Sequence, residues 1–417
     1  MKRLLLLALL AIAAAAGVCA QENFYLKDGD RVVFYGDSIT DQRLYTTFTE
    51  TYVLTRFPKL KVDFTHSGWG GDRVTGGGGG PIDLRLQRDV FAYKPTVMTI
   101  MLGMNDGSYR AFDQALFDTY ANGMKHIVQA AKSAAPGIRI TAIQPSPFDD
   151  VTRPPEFSGG YNAVLVRYGQ FVAELAKAQG LTVADLNTGV VNALEKANAA
   201  DAKLAAKIIP DRVHPGPGGH LLMAEALLKS WNAPSLVTSV AIDAAGRSVI
   251  AQENTEVSAL EAAGGAVSWV QKDAALPMPL DSKDRVLQLA VKSSDFIEAM
   301  DRQPLKVTGL TAAKYALAID GNKVGVFTKE ELAAGVNLAT LETPMTAQAA
   351  LVHELTRKHN NIHFARWREV QVPLANFYLR NAQPAMDALD QLESELVARQ
   401  RAAAKPQPRR YELTPER

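Results

Sequence analysis

Apolar runs of strand character alternate with stretches of helical periodicity through the first half of this chain, and that alternation limits its possible architectures more than any other feature. The runs are Arg31–Tyr35, Lys61–Thr65, Thr96–Leu102, Ile138–Gln144 and Leu181–Leu186. Between them, Gln42–Phe57, Leu84–Ala92, Gln114–Ala134 and Tyr161–Gln179 carry apolar residues at the spacing of one-sided helices. Strands and helices that alternate at these lengths build a parallel sheet covered on both faces, with right-handed connections. The pattern predicts a flavodoxin-like α/β/α sandwich with a parallel five-stranded sheet.

Sites in open parallel sheets form beyond the carboxyl ends of the strands. Three polar turns stand there. Gly36-Asp37-Ser38 ends the first apolar run in a hydroxyl, Ser67-Gly68-Trp69-Gly70-Gly71-Asp72 follows the second, and Gly103-Met104-Asn105-Asp106 follows the third. A Ser-centred turn by itself equally suits a strand-to-helix connection in which Asp or Ser caps the next helix. Far downstream, Asp211-Arg212-Val213-His214 places an acid and an imidazole in one short loop before a helix starting near Pro217-Gly218-Gly219. Ser38 with Asp211 and His214 reads as a serine-hydrolase triad. The glycine-rich turn offers backbone N–H groups to a reacting oxygen, and Asn105 offers an amide donor. The nucleophile elbow of α/β-hydrolases requires glycine two residues after the serine, and Thr40 stands there, which disfavours that fold.

These four segments, in this order, resemble the four sequence blocks of the SGNH (GDSL) hydrolases. The resemblance covers roughly residues 30 to 231 and implies Ser38 as nucleophile, His214 as general base and Asp211 as its orienter. It further implies an oxyanion hole of Ser38 N–H, Gly71 N–H and the Asn105 side chain, and no metal or organic cofactor. One departure is His66-Ser67-Gly68, where that family often opens its second block with Asn. The activity implied is hydrolysis of small acyl esters, acetyl above all, carried on carbohydrates. The alternatives are a lipase or lysophospholipase, and a non-catalytic carbohydrate-binding protein.

Composition narrows the partners. A formal charge of +1 spread over 417 residues provides no field for nucleic acid, so the expected partner is a small-molecule or polysaccharide ester. Met1-Lys2-Arg3, the apolar run to Gly17 and Val18-Cys19-Ala20 have the form of a signal peptide over residues 1–20, predicting export to the periplasm or medium. Cys19, the one cysteine, falls inside that segment, so the mature chain has no disulfide; acylation of Cys19 is the alternative. No other stretch is long and apolar enough to span a bilayer.

The pattern changes after Trp231-Asn232-Ala233-Pro234, which places the hydrolase domain at 21–234 and an accessory region at 235–404. Short strands are expected at Val237–Ile242, Val249–Ala251, Ala266–Val270, Leu305–Leu310, Tyr315–Ile319 and Lys323–Phe327. Asp320-Gly321-Asn322 reads as a hairpin turn, and helices are expected over Thr346–Lys358 and Ala375–Arg401. The charged, proline-bearing stretch 405–417 reads as a disordered or surface-lying tail. The whole is an α/β sandwich with a C-terminal β-rich and helical appendage that packs back on the hydrolase domain.

Other residues weigh less. Trp69 and Tyr109 beside the donor segments, and Gln144 at the end of the fourth run, are candidate substrate-binding residues; Trp367 is a weaker one. Gly76 to Gly80 reads as a solvated loop or a mobile rim, since no P-loop ending follows it. His353, His359 and His363 lack the spacing of a zinc site and are expected to be structural, as is His220. Asp37, Asp72 and Asp106 are expected to hold turn geometry.

Overall fold

The structure is a computed structural model that describes residues 23–416. The expected signal peptide and Cys19 lie outside the described residues. Five parallel strands form the first sheet: β1 (Arg31–Gly36), β2 (Asp63–Gly68), β3 (Val97–Met101), β4 (Arg139–Ile143) and β5 (Thr182–Ala184), in the order β2-β1-β3-β4-β5. All neighbouring pairs run parallel, with Phe34 opposite both His66 and Thr99. This is the flavodoxin-like order. After β2 the chain reverses direction across the sheet, so right-handed crossovers put α2 (Leu44–Arg56) and the following helices on opposite faces. Those helices are α3 (Ile82–Asp89), α4 (Gln114–Ala134) and α5 (Gly160–Gln179); α6 (Thr188–Ala205) and α7 (Pro217–Ser230) follow β5. Both faces being covered, β3 is buried at every position, Thr99 included, in keeping with its otherwise apolar sequence.

Beyond residue 234 lie two further sheets. One has the order β8-β9-β13-β11-β12, from Thr255–Ala263, Ala266–Asp273, Arg409–Pro415, Lys314–Ile319 and Asn322–Thr328. The other sets the short strand Val336–Asn337 beside β10 (Pro304–Thr308), β6 (Ser239–Asp243) and β7 (Ser248–Glu253). The hairpin between β11 and β12 turns through Asp320 and Gly321 at φ of 50° and 77°, the paired left-handed residues such a tight turn needs. The stretch expected to be a disordered tail is instead β13, paired on both sides and central in its sheet. Its alternation is the reason: Tyr411 and Leu413 point into the second core while Arg410 and Glu412 point away, and Tyr411 stacks on Trp269 at 5.1 Å.

The expected boundary at 234 does not separate the two cores. Leu287, Ala290, Phe296 and Met300 belong to the hydrolase core, brought there by helices α8 (Arg285–Lys292) and α9 (Phe296–Met300), and Met278 joins them from the segment before α8. The chain then passes through α10 (Lys329–Ala334) to a long pair, α11 (Pro344–Phe364) and α12 (Ala382–Ala403), which packs back on α2. With the hydrolase core taking Tyr45, Phe48, Tyr52 and Val53 on the other side, that docking leaves twelve of the thirteen residues of α2 buried. Its threonines tolerate burial because their hydroxyls bond backward to helix carbonyls, Thr49 to Tyr45 O at 2.8 Å and Thr55 to Thr51 O at 2.8 Å.

Candidate active site

Gly36 and Gly68 end β1 and β2 beneath α1 (Ser38–Asp41), and their missing side chains let that single turn sit directly on the sheet edge. A Cβ on Gly68 would stand 2.1 Å from Asp41 N and 2.4 Å from the Thr40 carbonyl carbon. Gly68→Ala is therefore expected to displace the Ser38 turn, costing about 1–3 kcal/mol of stability together with a fall in kcat. Thermal unfolding and steady-state kinetics check it; a variant with wild-type values of both would refute the packing argument. Asp37 caps α1, accepting from Ile39 N at 3.1 Å, as expected of a turn residue. Burial pushes its carboxyl up to about 7, although the Ile39 N–H pulls the other way.

Ser38, Asp211 and His214 meet. His214 Nε2 lies 2.8 Å from Ser38 Oγ, and His214 Nδ1 lies 2.7 Å from Asp211 Oδ2. Asp211 Oδ1 also accepts from Val213 N at 3.0 Å and His214 N at 2.7 Å. Partial burial raises the Asp211 pKa, but these bonds to the charged form outweigh it and leave the carboxyl below its ordinary value. The imidazole and carboxylate are 35% and 55% exposed, so the acid and base stand at an open rim rather than in a closed pocket.

The loop carrying them is clamped by residues the sequence reading passed over. Arg153 donates to Ile209 O at 3.1 Å and Pro210 O at 2.7 Å, and Asp149 N donates to Arg212 O at 2.9 Å. Asp149 in turn accepts from Arg153 at 2.9 Å. Arg212 itself is left-handed, with φ of 72°, which turns the chain sharply between the acid and the base.

The three expected donors each follow the carboxyl end of one of the strands β1, β2 and β3. Gly71 has φ of 77°, the left-handed conformation that glycine adopts without strain, and its N–H has no hydrogen-bond partner among the described residues. The Ser38 N–H at the start of α1 is likewise unpaired among them. Asn105, 9% exposed, donates from Nδ2 to Asp72 O at 3.0 Å, which ties its loop to the glycine-rich turn and leaves its second amide hydrogen free of that bond.

Arg85 underlies that turn and is wholly buried. It donates to Asp72 Oδ2 at 2.7 Å and Ser67 O at 2.9 Å, and bonds Asp89. Asp72 is thus an ion-pair partner as well as a turn residue. Asp106 accepts from Val74 N at 3.0 Å, and burial pushes its carboxyl up to about 6.

The expected substrate-binding residues fare differently. Tyr109 stands beside Asn105, the residue 41% exposed and its hydroxyl on Asn105 Oδ1 at 3.0 Å. Trp69 does not offer an open stacking face: the Arg368 guanidinium lies 3.1 Å from its ring centroid, Gly79 backs against the indole, and Trp367 meets it edge-on. The glycine run 76–80 accordingly folds as a hairpin packed on Trp69 rather than as a free loop. Trp367 is buried, donating to Asp89 Oδ1 at 2.6 Å. Gln144 is not brought to the site. Its side chain lies on the sheet face covered by α5, against Gly169, and no hydrogen bond joins it to the triad or its donors. His220 is a core residue, accepting from Tyr45 N at 3.2 Å and donating to Gln42 at 3.0 Å; burial pushes its pKa down to about 3.

Comparison with known proteins agrees with this geometry. Residues 34–222 match the model of the GDSL-like lipase/acylhydrolase family. An acetylxylan esterase of Geobacillus stearothermophilus is 24% identical over 226 residues, spanning 48% of this chain and 93% of that protein. The solved structure of BT4096, a gut microbial diltiazem-metabolizing enzyme, superposes with a TM-score of 0.83 at 26% identity, covering 94% of this chain and all of that one. That likeness extends through the C-terminal sheets and helices. Residues 34–222 thus form a domain that matches the GDSL-like lipase/acylhydrolase (SGNH) family, and the protein is a carboxylic ester hydrolase.

Proposed function

We propose that the protein is a serine esterase that removes small acyl groups, acetyl above all, from carbohydrate esters through an acyl-enzyme intermediate. The observation that carries the chemistry is the continuous chain from Ser38 Oγ through His214 to Asp211, at 2.8 and 2.7 Å. Ser38 Oγ attacks the carbonyl carbon as His214 Nε2 takes its proton, and Asp211 holds the Nδ1–H tautomer and stabilises the imidazolium. The oxyanion is held by Ser38 N–H, Gly71 N–H and Asn105 Nδ2–H, each such donor worth roughly 3 kcal/mol in comparable sites. His214 then returns the proton to the leaving alcohol. Water, activated by the same imidazole, releases the acid.

The small-acyl reading draws on the open rim at Asp211 and His214, which leaves room for a bulky alcohol portion. It draws also on the likeness to an acetylxylan esterase. Export of the mature chain belongs to the same proposal.

The test uses two esters and one probe. A fluorophosphonate is expected to label Ser38 alone, and p-nitrophenyl acetate is expected to be hydrolysed at least tenfold better, by kcat/KM, than the palmitate, a difference of about 1.4 kcal/mol. Labelling elsewhere would overturn the assignment of the nucleophile. Preference for the long chain would replace the small-acyl reading with that of a lipase, and no acetate released from any acetylated polysaccharide would remove the carbohydrate from it.

A further inference from the structure

Asn105 is held by two bonds of opposite sense. The Asp72 carbonyl can only accept, so the amide atom 3.0 Å from it must be Nδ2, which fixes the side-chain flip without appeal to any assumed orientation. Oδ1 then faces the Tyr109 hydroxyl at 3.0 Å, and that hydroxyl is the donor. The phenol is suited to stay one: burial, with Asp37 and Asp211 adding to it, pushes its pKa up to about 12.

The backbone is bent to make this contact. Ser108 and Tyr109 both occupy the left-handed region, with φ of 56° and 54°, where residues with a Cβ are strained. Consecutive strained residues turn the chain back on itself directly after Asn105, returning a ring four positions on to the amide that precedes it. Packing over-determines the turn. Tyr161 lies 5.1 Å from the Tyr109 ring, its hydroxyl donates to Met104 O at 2.6 Å, and a Cβ on Gly107 would strike it at 2.5 Å.

We propose that Tyr109 is a positioning residue of the oxyanion hole, acting through Asn105 rather than as a wall for the substrate. Its donation holds Oδ1 away from the reacting carbonyl and polarises the amide, so the second Nδ2–H is directed, as a stronger donor, to the developing oxyanion. This rests on the reading of Asn105 as an oxyanion donor made above.

The experiment is a double-mutant cycle on the full chain with p-nitrophenyl acetate, comparing Tyr109→Phe, Asn105→Ala and the pair. Tyr109→Phe keeps the ring and is expected to lower kcat about tenfold with KM within about twofold; Asn105→Ala is expected to lower kcat about 100-fold. The double variant should fall no lower than Asn105→Ala alone, because without the amide the phenol has nothing to position. A substrate wall would instead show in KM, and a merely structural role would multiply in the double variant; either result overturns the inference. So would wild-type kcat in Tyr109→Phe. Wild-type kcat in Asn105→Ala would be a different failure, removing the oxyanion reading and this inference with it.

Discussion

Ser38→Ala is expected to lower kcat for p-nitrophenyl acetate by about 10⁴- to 10⁶-fold while the melting temperature stays near that of the wild type. The hydroxyl contributes little to the fold: Oγ has His214 Nε2 as its hydrogen-bond partner, whereas α1 is held by the Asp37 cap, by Thr40 bonded to Tyr45 at 2.9 Å, and by its seat on Gly36 and Gly68. Chemistry and stability are therefore separable at this residue. The triad acts as one unit, so His214→Ala should cost a comparable factor and the double variant should lose little more than Ser38→Ala alone. Residual rate above water is expected in all three, supplied by donors that none of these changes removes. A Ser38→Ala enzyme within tenfold of wild type, in a preparation free of contaminating esterase by the fluorophosphonate probe, would sink the mechanism. Multiplicative losses in the double variant would show instead that Ser38 and His214 act in separate steps.

The sheet was legible because burial on both faces leaves strands nearly continuous in apolar residues, and each of the first three ends in a polar turn that marks the functional edge. The helix Gln114–Ala134 was read to the residue, its start announced by Asp113, which caps it. What escaped reading escaped for particular physical reasons. Arg85 and Asp89 are spaced as a surface i,i+4 pair, but Arg85 lies under Trp69 and under Trp367, and no local pattern announces a cover such as Trp367, supplied from almost three hundred residues away. The threonine face of α2 reads as the solvent side for the same reason: α11 and α12 cover it. For β13 the signal was present in the alternation of Tyr411 and Leu413, and was masked by Pro406 and Pro408 just before it. The contact between Tyr109 and Asn105 depends on two left-handed residues that carry no glycine or asparagine, so composition could not have disclosed it. The triad, by contrast, needs only residue identity and chain order, which is all a sequence supplies.

His359→Gln is expected to destabilise the protein by about 3–5 kcal/mol near pH 6, because it leaves Glu50 buried without its cation. His359 on α11 donates from Nε2 to Glu50 Oε1 on α2 at 2.6 Å, and Gln400 of α12 and His66 of β2 complete the shell at 2.9 and 3.2 Å. Burial alone would depress the imidazole, but Glu50 and Glu393 override it and raise its pKa from 6.5 to about 10. Burial alone would likewise raise Glu50; His359 and His66 outweigh it and hold the carboxyl below its ordinary 4.5. The signs then define a window. A raised histidine contributes its stability fully below 6.5 and loses it as pH climbs through about 10. A depressed glutamate contributes above 4.5 and loses its share as pH falls. Both are complete only between those two ordinary values, so the penalty of His359→Gln should be greatest there and should shrink steadily on the alkaline side. Urea unfolding of wild type and variant at about pH 6 and about pH 9 measures it. An equal penalty at the two pH values would mean that the helix pair docks by packing alone, through Leu54, Val352 and Ala404, with the ion pair contributing nothing that protonation can remove.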